Sequence, residues 1–509
     1  MKYTVTIAVV LMIGHQAMSQ LPEDVIRLNW NVPSGTARSQ AIGGAVGSLG
    51  GEITNTFVNP AGLGFYKVSE IVLTPGLTLA KSKGDYLGMN STSDNISRFN
   101  FSTTGFVSAT NTPGSNWVSK AFSIAVNRMA NFNNSVYYRG INDASSFSEV
   151  YAVELSESGV DIDDYRYSPY LSLGTKSAIH TYLIDVDTIA GIPQVVGRPE
   201  YLDAVDQEYS ATTRGGISEI AIGYAGNLQD KFYVGGGIGV PILRYERRQT
   251  LKESDPSGDL DNNFSYSRYE EKLTTTGVGL NAKLGIIFKP APQTRIGVAF
   301  HTPTIYGLKD QLSTKMVTDV EQLFNNDPVD SVTSDYFGSS PVYKYDMTSP
   351  WRFLVSGSYV FNEVEDVTRQ RGFITADVEY VTYGSTRFSA AEAGDDDGYF
   401  DDVNKVVKQD YKSAFNFRVG GELKFNTLMT RLGFAYYGNP YEESAFKAGR
   451  TNISGGLGYR DRGIFIDLTY VHSISRDINI PYRLPDKGVP YADIKSNIGQ
   501  VLLTFGFKI

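Results

Sequence analysis

Along most of this chain, apolar and polar residues alternate with a period of two. In SAFNFRVGGELKF, Phe415, Phe417, Val419, Leu423 and Phe425 share one face, and Asn416, Arg418, Glu422 and Lys424 share the other. GIFIDLTYV sets Ile464, Ile466, Leu468 and Tyr470 against Asp467 and Thr469. GVGLNAKLGIIF, RIGVAFH and GFITADVEYV repeat the arrangement, with Lys283, His301, Asp377 and Glu379 on the polar side. Successive side chains of a β-strand point to opposite faces, so this spacing predicts strands rather than helices. The pattern runs from residue 68 to the C-terminus without a Pro/Ser/Gly-rich linker. One large β domain accommodates that continuity better than several small ones. About fourteen strands are expected after residue 67, and single-chain bacterial barrels have even strand numbers.

Alternation alone fits two architectures. A soluble sandwich turns its polar faces to water; a membrane barrel turns its apolar faces to lipid and keeps a polar lumen. Segment length favours the barrel. A membrane-crossing strand needs about 9–11 residues, and many of these segments reach that length, whereas strands in globular proteins average about 5–6. Aromatic residues near strand ends (Trp351 with Tyr359, Tyr436 with Tyr437, Tyr459, Tyr470) fit interfacial girdles. Connections also fall into two kinds. NLQDK, KPAPQTR and YRDRG are short turns, while residues 134–216, 321–340 and 391–410 are expected to form long loops on the opposite rim. A short helix is expected within PQVVGRPEYLDAVDQEYS.

The first residues set the compartment. MKYTVTIAVVLMIGHQAMSQ carries Lys2, an apolar run from Val5 to Ile13, and a small-x-small site at Ala17-Met18-Ser19. This predicts a signal peptide over 1–19, cleaved after Ser19. The exported chain has no cysteine, so packing and hydrogen bonds replace disulfides. Its 51 Gly, 33 Tyr and 27 Phe argue against disorder and for a large β-structure. A net charge of -9 argues against a nucleic-acid partner.

Residues 31–65 do not alternate. GTARSQAIGGAVGSLGGE followed by NTFVNPAGLG has too little apolar surface to fold alone, and would be ordered only where other walls enclose it. A barrel lumen supplies such walls. Asn59, Pro60, Ala61 and Gly62 form a compact turn before the first strand: Pro60 fixes φ, Asn59 bonds its own backbone, and Gly62 permits close approach.

No catalytic or metal signature emerges. His15, His180, His301 and His472 are scattered, and there is no Gly-x-Ser-x-Gly. GGGIGV (235–240) lacks a phosphate-loop pattern and reads as close strand packing. GDDDGYFDD (394–402) lacks calcium-loop spacing and reads as a solvated acidic loop. The expectation is a non-enzyme with no cofactor and no metal.

The segment ARSQAIGGAVGSLGGEITNTFVNPAGLG resembles the N-terminal hatch of the FadL-type outer-membrane transporters of long-chain fatty acids and other hydrophobic compounds. Their Asn-Pro-Ala motif corresponds to Asn59, Pro60 and Ala61. LNAKLGIIFKPAPQTRIGVAFHTPTIY, SPWRFLVSGSYVF and FITADVEYVTY resemble their strands. The resemblance implies an all-β transmembrane antiparallel barrel in a bacterial outer membrane. A hatch (20–66) would sit in its lumen and a barrel (67–509) would enclose it. It implies capture of a hydrophobic molecule by extracellular loops, passage to an internal pocket, and lateral exit into the bilayer at a kink in the third strand. That strand would be AFSIAVNRMANFN, where alternation breaks at Asn127-Arg128, marking either the kink or the strand's outer end. Independently of the resemblance, the lumen charges Arg418, Glu422, Asp377 and Lys283 are expected to pair with one another or to line water, with Arg418 and Lys283 the candidates to meet a substrate carboxylate. Partners would be membrane lipid, the hydrophobic ligand and the barrel assembly machinery, whose signal the last strand GQVLLTFGFKI resembles; the barrel is expected to be a monomer. The alternative is a barrel of the same fold serving as an anchor or adhesin.

Overall fold

The computed structural model describes residues 24–509 apart from 113, 324–328, 339–341, 362–370, 393–396, 445, 447, 486 and 489. The predicted signal peptide lies outside the described residues. The wall is one antiparallel sheet that makes fourteen passes and closes on itself. The first pass is β1 (Glu70–Leu73) and β2 (Pro75–Tyr86). The second is β3 (Met89–Thr92), β4 (Ile96–Phe101) and β5 (Thr104–Asn111), and the third β6 (Trp117–Asn131) and β7 (Asn134–Asn142). A hairpin outside the wall, β8 (Ile184–Ile189) and β9 (Ile192–Gly197), precedes the long strands β10 (Val205–Leu228), β11 (Phe232–Ser254) and β12 (Tyr266–Ala291). Next come β13 (Thr294–His301) with β14 (Ile305–Asp319), and then β15 (Val329–Thr333), which pairs with β14 beyond the rim. β16 (Val342–Thr348) with β17 (Arg352–Phe361), and β18 (Gly372–Thr382) with β19 (Arg387–Ala390), make the eighth and ninth passes. The remaining five are β20 (Ser413–Phe425), β21 (Leu428–Tyr437), β22 (Gly449–Asp461), β23 (Ile464–Asn479) and β24 (Ala492–Lys508). Closure comes from β24, which pairs with β1 and β2 in registers such as Phe507↔Ile71 and Leu502↔Gly76.

The burial pattern is that of a membrane barrel. Leu432 is 75 % exposed and Leu457 62 %, while Asp467 and Asp377 are each 1 % exposed. An apolar belt facing outward around a polar interior is stable only against hydrocarbon, which removes the soluble sandwich. Trp117, Phe232, Phe288, Tyr359, Phe425 and Tyr459 are exposed near the short-turn rim, and Trp351, Phe415, Tyr436 and Tyr470 near the other. Tyr437 departs from the expected girdle. It follows Tyr436, so the period of two turns it inward, where it is buried.

The segments read as long loops carry structure of their own. After β7 come α4 (Ser148–Ser158), α5 (Leu173–His180) and the β8–β9 hairpin. Within PQVVGRPEYLDAVDQEYS the helix shrinks to one 3-10 turn at Arg198–Tyr201, flanked by β9 and the start of β10. α4 and α5 bury Phe147, Leu155 and Ile179 against Tyr209, Leu251 and Met316, which belong to wall strands extended beyond the membrane. β10, β11 and β12 have 24, 23 and 26 residues, more than double the roughly 9–11 needed to cross. Their upper halves therefore support a cap. Much of the acidic segment 391–410 is α6 (Asp397–Asp410), whose Tyr399, Phe400, Val403 and Val407 are buried. The part of the acidic run at 394–396 lies outside the described residues.

Candidate functional site: a cavity, a wall seam and the segment between them

The N-terminal residues lie inside the wall. α1 (Asp24–Asn29) packs by the turn at Tyr383–Ser385 and, with Trp30, contributes Val25, Ile26 and Leu28 to the buried cluster that also holds Tyr383 and the apolar residues of α6. α2 (Ala37–Ala41) is capped by Thr36, whose hydroxyl accepts from Ser39 N–H and donates to Glu52 at 2.7 Å. α3 (Asn55–Val58) leads to a 3-10 helix, Pro60–Phe65. Pro60 opens that helix, where a missing N–H costs nothing, and Asn59 caps it by accepting from Ala61 N–H at 3.2 Å. The Asn59 amide also donates to Gly47 O at 2.6 Å, fastening two turns of the segment together.

Wall glycines make room for these turns. A Cβ on Gly235 would meet Pro60 C at 2.5 Å, and one on Gly285 would meet Asn59 Oδ1 at 1.8 Å. Across the lumen, a Cβ on Gly420 would meet Ile42 O at 2.3 Å. The GGGIGV run is thus packing space, in part for the Asn-Pro-Ala turn. A chain of ion pairs holds the other side. Arg38 of α2 contacts Glu422 at 3.1 Å, Glu422 contacts Arg431 at 2.6 Å, and Arg431 contacts Asp467 at 2.6 Å.

Beside this segment is an interior cavity of about 90 Å³. Its apolar lining includes Leu28, Pro33, Phe57, Met129, Ile217 and Leu354, and its polar lining includes Glu219, Lys283, His301, Arg352, Glu379 and Arg418. Lys283 and Arg418, the two cations singled out from the sequence, both reach it. Lys283 Nζ contacts Glu219 and lies 2.7 Å from Asn281 Oδ1. Arg418 is 3.8 Å from Glu379 and 3.9 Å from Asp377.

The wall beside the cavity is not continuous. β5 and β6 pair from Asn111↔Ser119 up to Thr104↔Val126, where their ladder ends. Above that point β4 pairs with β2, and residues 127–131 of β6 pair with β10. Among the described residues no ladder joins the two edges that face each other there. The β6–β10 register also slips: Arg128 faces Ser218, but Ala130 faces Ile217, so Met129 is an extra residue. That is a β-bulge, which bends a strand and ends regular pairing. Outside the seam lies a cleft of about 640 Å³ lined by Leu73, Phe99, Phe101, Val126, Arg98 and Arg128. Arg128, one of the predicted kink residues, leans across β10, donating to Ser218 Oγ at 3.2 Å and to Gly215 O. Gly215 has φ 102°, a conformation that glycine permits.

Ser34 occupies the seam from inside. Its N–H donates to Arg128 O at 2.8 Å, its carbonyl accepts from Asn127 Nδ2 at 2.8 Å, and its hydroxyl lies 2.7 Å from Ser102 Oγ. Asn127, the other predicted kink residue, points inward and also accepts from Thr103 Oγ1 at 2.9 Å. Ser34 thus supplies the hydrogen bonds that a neighbouring strand would have made. Cavity and cleft meet here back to back: Met129, Ile217 and Pro33 face the cavity, whereas Arg128, Ser218 and Ser102 face the cleft. Sequence reasoning missed Ser34, Ser102 and Met129. The only signal was the broken alternation at Asn127-Arg128, which did not reveal what sits opposite.

Two solved structures share the whole architecture. A Pseudomonas aeruginosa FadL homologue is 13 % identical, covering 94 % of this chain and 99 % of its own, with TM-score 0.52. The fold is that of a FadL homologue. The P. putida toluene transporter TodX matches at 14 % identity over the same shares, with TM-score 0.50. No family model matches the sequence, and no curated protein does. The FadL fold is therefore carried here by a sequence only 13 % and 14 % identical to these two. Among the described residues, no cluster of three or more His, Cys, Asp or Glu could hold a metal ion.

Proposed function

We propose that this chain is a passive transporter of hydrophobic molecules in a bacterial outer membrane, with residues 20–66 as its hatch and residues 67–509 as its barrel. The molecule enters beneath the extracellular cap and rests in the interior cavity. It leaves sideways through the seam between β4 and β6 when Ser34 withdraws. The seam carries this reading. A barrel built only to anchor gains nothing from unpaired strand edges in the wall, which are costly in lipid, yet here they lie between an interior cavity and an apolar cleft. Lateral exit also suits the cargo. Each CH₂ gains about 0.8 kcal/mol in the bilayer, so no aqueous step is needed. Asn59, Pro60, Ala61 and Gly62 keep the hatch compact enough to shift as a unit. The transport task calls for no catalytic group. The two solved structures that share its fold agree in kind, since one is a FadL homologue and the other a toluene transporter.

The chain has no cysteine, so a single introduced pair can be read cleanly. Ser34 and Ser102 hydroxyls are 2.7 Å apart, close enough for Ser34→Cys with Ser102→Cys to form a disulfide. Cells carrying the oxidised pair should lose uptake of a hydrophobic fluorescent probe and regain it on reduction. Uptake that ignores the redox state would remove Ser34 from the gate. A barrel that never raises probe uptake above that of cells lacking it would favour the anchor or adhesin instead.

A further inference from the structure

The charges around the interior cavity decide which hydrophobic molecules it can accept. Three cations and three carboxylates meet at or just behind its lining, and they cancel. Lys283 is matched by Glu219, whose second oxygen accepts from Asn281 at 3.2 Å. Arg352 is 3.6 Å from Glu379 and donates to Asn29 O at 2.9 Å. Arg418 lies between Glu379 and Asp377. Asp377 is itself held by Ser356 at 2.5 Å and by Gly47 N–H at 3.2 Å. His301 donates to Val58 O at 2.8 Å, a bond that neutral imidazole makes. A ligand carboxylate entering here would find every lining cation already shared with a buried protein carboxylate. It would leave water and gain only competition with like charge.

We propose that the cavity selects uncharged molecules, apolar bodies bearing at most a neutral polar group, and turns carboxylates away. The proposal rests on the transport reading and narrows its substrate class: the matched lumen charges exclude the ionised fatty acid. Lys283 and Arg418 are then part of a neutral lining rather than a carboxylate anchor. Glu379 is the specificity-determining residue, because it serves two guanidinium groups, and a guanidinium cannot shed its charge.

The test uses the full barrel in lipid nanodiscs at pH 8, where benzoate is ionised and an ordinary histidine is neutral. Benzoate and acetophenone have nearly the same ring and shape but differ in charge. Calorimetric titration should show acetophenone binding at least about tenfold more tightly than benzoate. In Glu379→Gln, Arg352 and Arg418 outnumber Asp377, and that ratio should fall by roughly tenfold or more. Asp377→Asn should move the ratio in the same direction, and serves if Glu379→Gln does not fold. Leu432→Ala, on the outer face of the wall where Leu432 is 75 % exposed, leaves the cavity lining intact and should keep the wild-type preference. Wild-type protein that binds benzoate as tightly as acetophenone overturns the proposal. So does a folded Glu379→Gln barrel with an unchanged ratio. If neither compound binds the wild-type barrel, the transport reading itself fails and takes this one with it.

Discussion

Gly285→Ala tests how tightly the N-terminal segment is keyed to the wall. The new Cβ would lie 1.8 Å from Asn59 Oδ1 and 3.4 Å from Ala61 N. Asn59 would have to retreat by about 1 Å or more to restore normal contact. It has nowhere to go without loss. It is fully buried, donates to Gly47 O at 2.6 Å and accepts from Ala61 N–H at 3.2 Å. Two hydrogen bonds at about 1 kcal/mol each, plus an overpacking cost of about 1–3 kcal/mol, give a loss of about 3–5 kcal/mol. Gly357→Ala is the control, because nothing lies within 4 Å of its Cβ; its change should stay within about 0.5 kcal/mol. The assay is urea unfolding in lipid vesicles, read by heat-dependent gel mobility, with protease access to residues 24–66 as a second measure. Asn59→Gly should relieve the clash, so that Gly285→Ala costs little on that background. Equal, small losses for Gly285→Ala and Gly357→Ala would refute the keyed packing.

Further outcomes follow from the same geometry. Leu468→Lys puts a charge on the lipid face, where Leu468 is 49 % exposed between Leu457 and Leu503; it should cost about 2–4 kcal/mol in vesicle refolding, and a neutral result would argue against an embedded belt. Arg431→Met leaves Glu422 and Asp467 without the cation they share, and a loss of about 3–5 kcal/mol is expected in the same assay. Asn127→Ala removes the bonds from Thr103 and to Ser34 O. It should loosen the seam by about 1–2 kcal/mol and raise the initial rate of probe uptake; a slower rate would mean that Asn127 guides the cargo rather than holding the gate.

How much of this could be read from the sequence follows from the range of each interaction. Strand faces are local, so Phe415, Phe417 and Val419 were assigned outward and Asn416 and Arg418 inward from spacing alone. The same rule, applied strictly, would have turned Tyr437 inward. The segment 31–65 was recognisable as one needing walls, because its small residues cannot bury enough surface by themselves. The structure of the cap was not legible. α4 and α5 are stabilised by Tyr209, Leu251 and Met316, which are distant in sequence, and nothing local announces that support. α6 was read as an acidic loop because its charges are contiguous, while its buried Tyr399, Phe400, Val403 and Val407 recur at helical spacing. The seam is hardest of all. A broken alternation marks Asn127-Arg128, but the missing ladder, the extra Met129 and the intrusion of Ser34 are properties of chain segments that meet only after folding.

Lateral passage is tested most directly by deleting Met129. Arg128 already faces Ser218 and Ala130 already faces Ile217, so removing the residue between them restores an unbroken β6–β10 register and leaves the cavity charges and the cap in place, at the cost of one apolar residue of the cavity lining. The account predicts a folded, heat-modifiable barrel whose probe uptake drops by roughly tenfold or more, a barrier rise of about 1.4 kcal/mol or greater. Uptake at the wild-type rate through that straightened wall would contradict the lateral route.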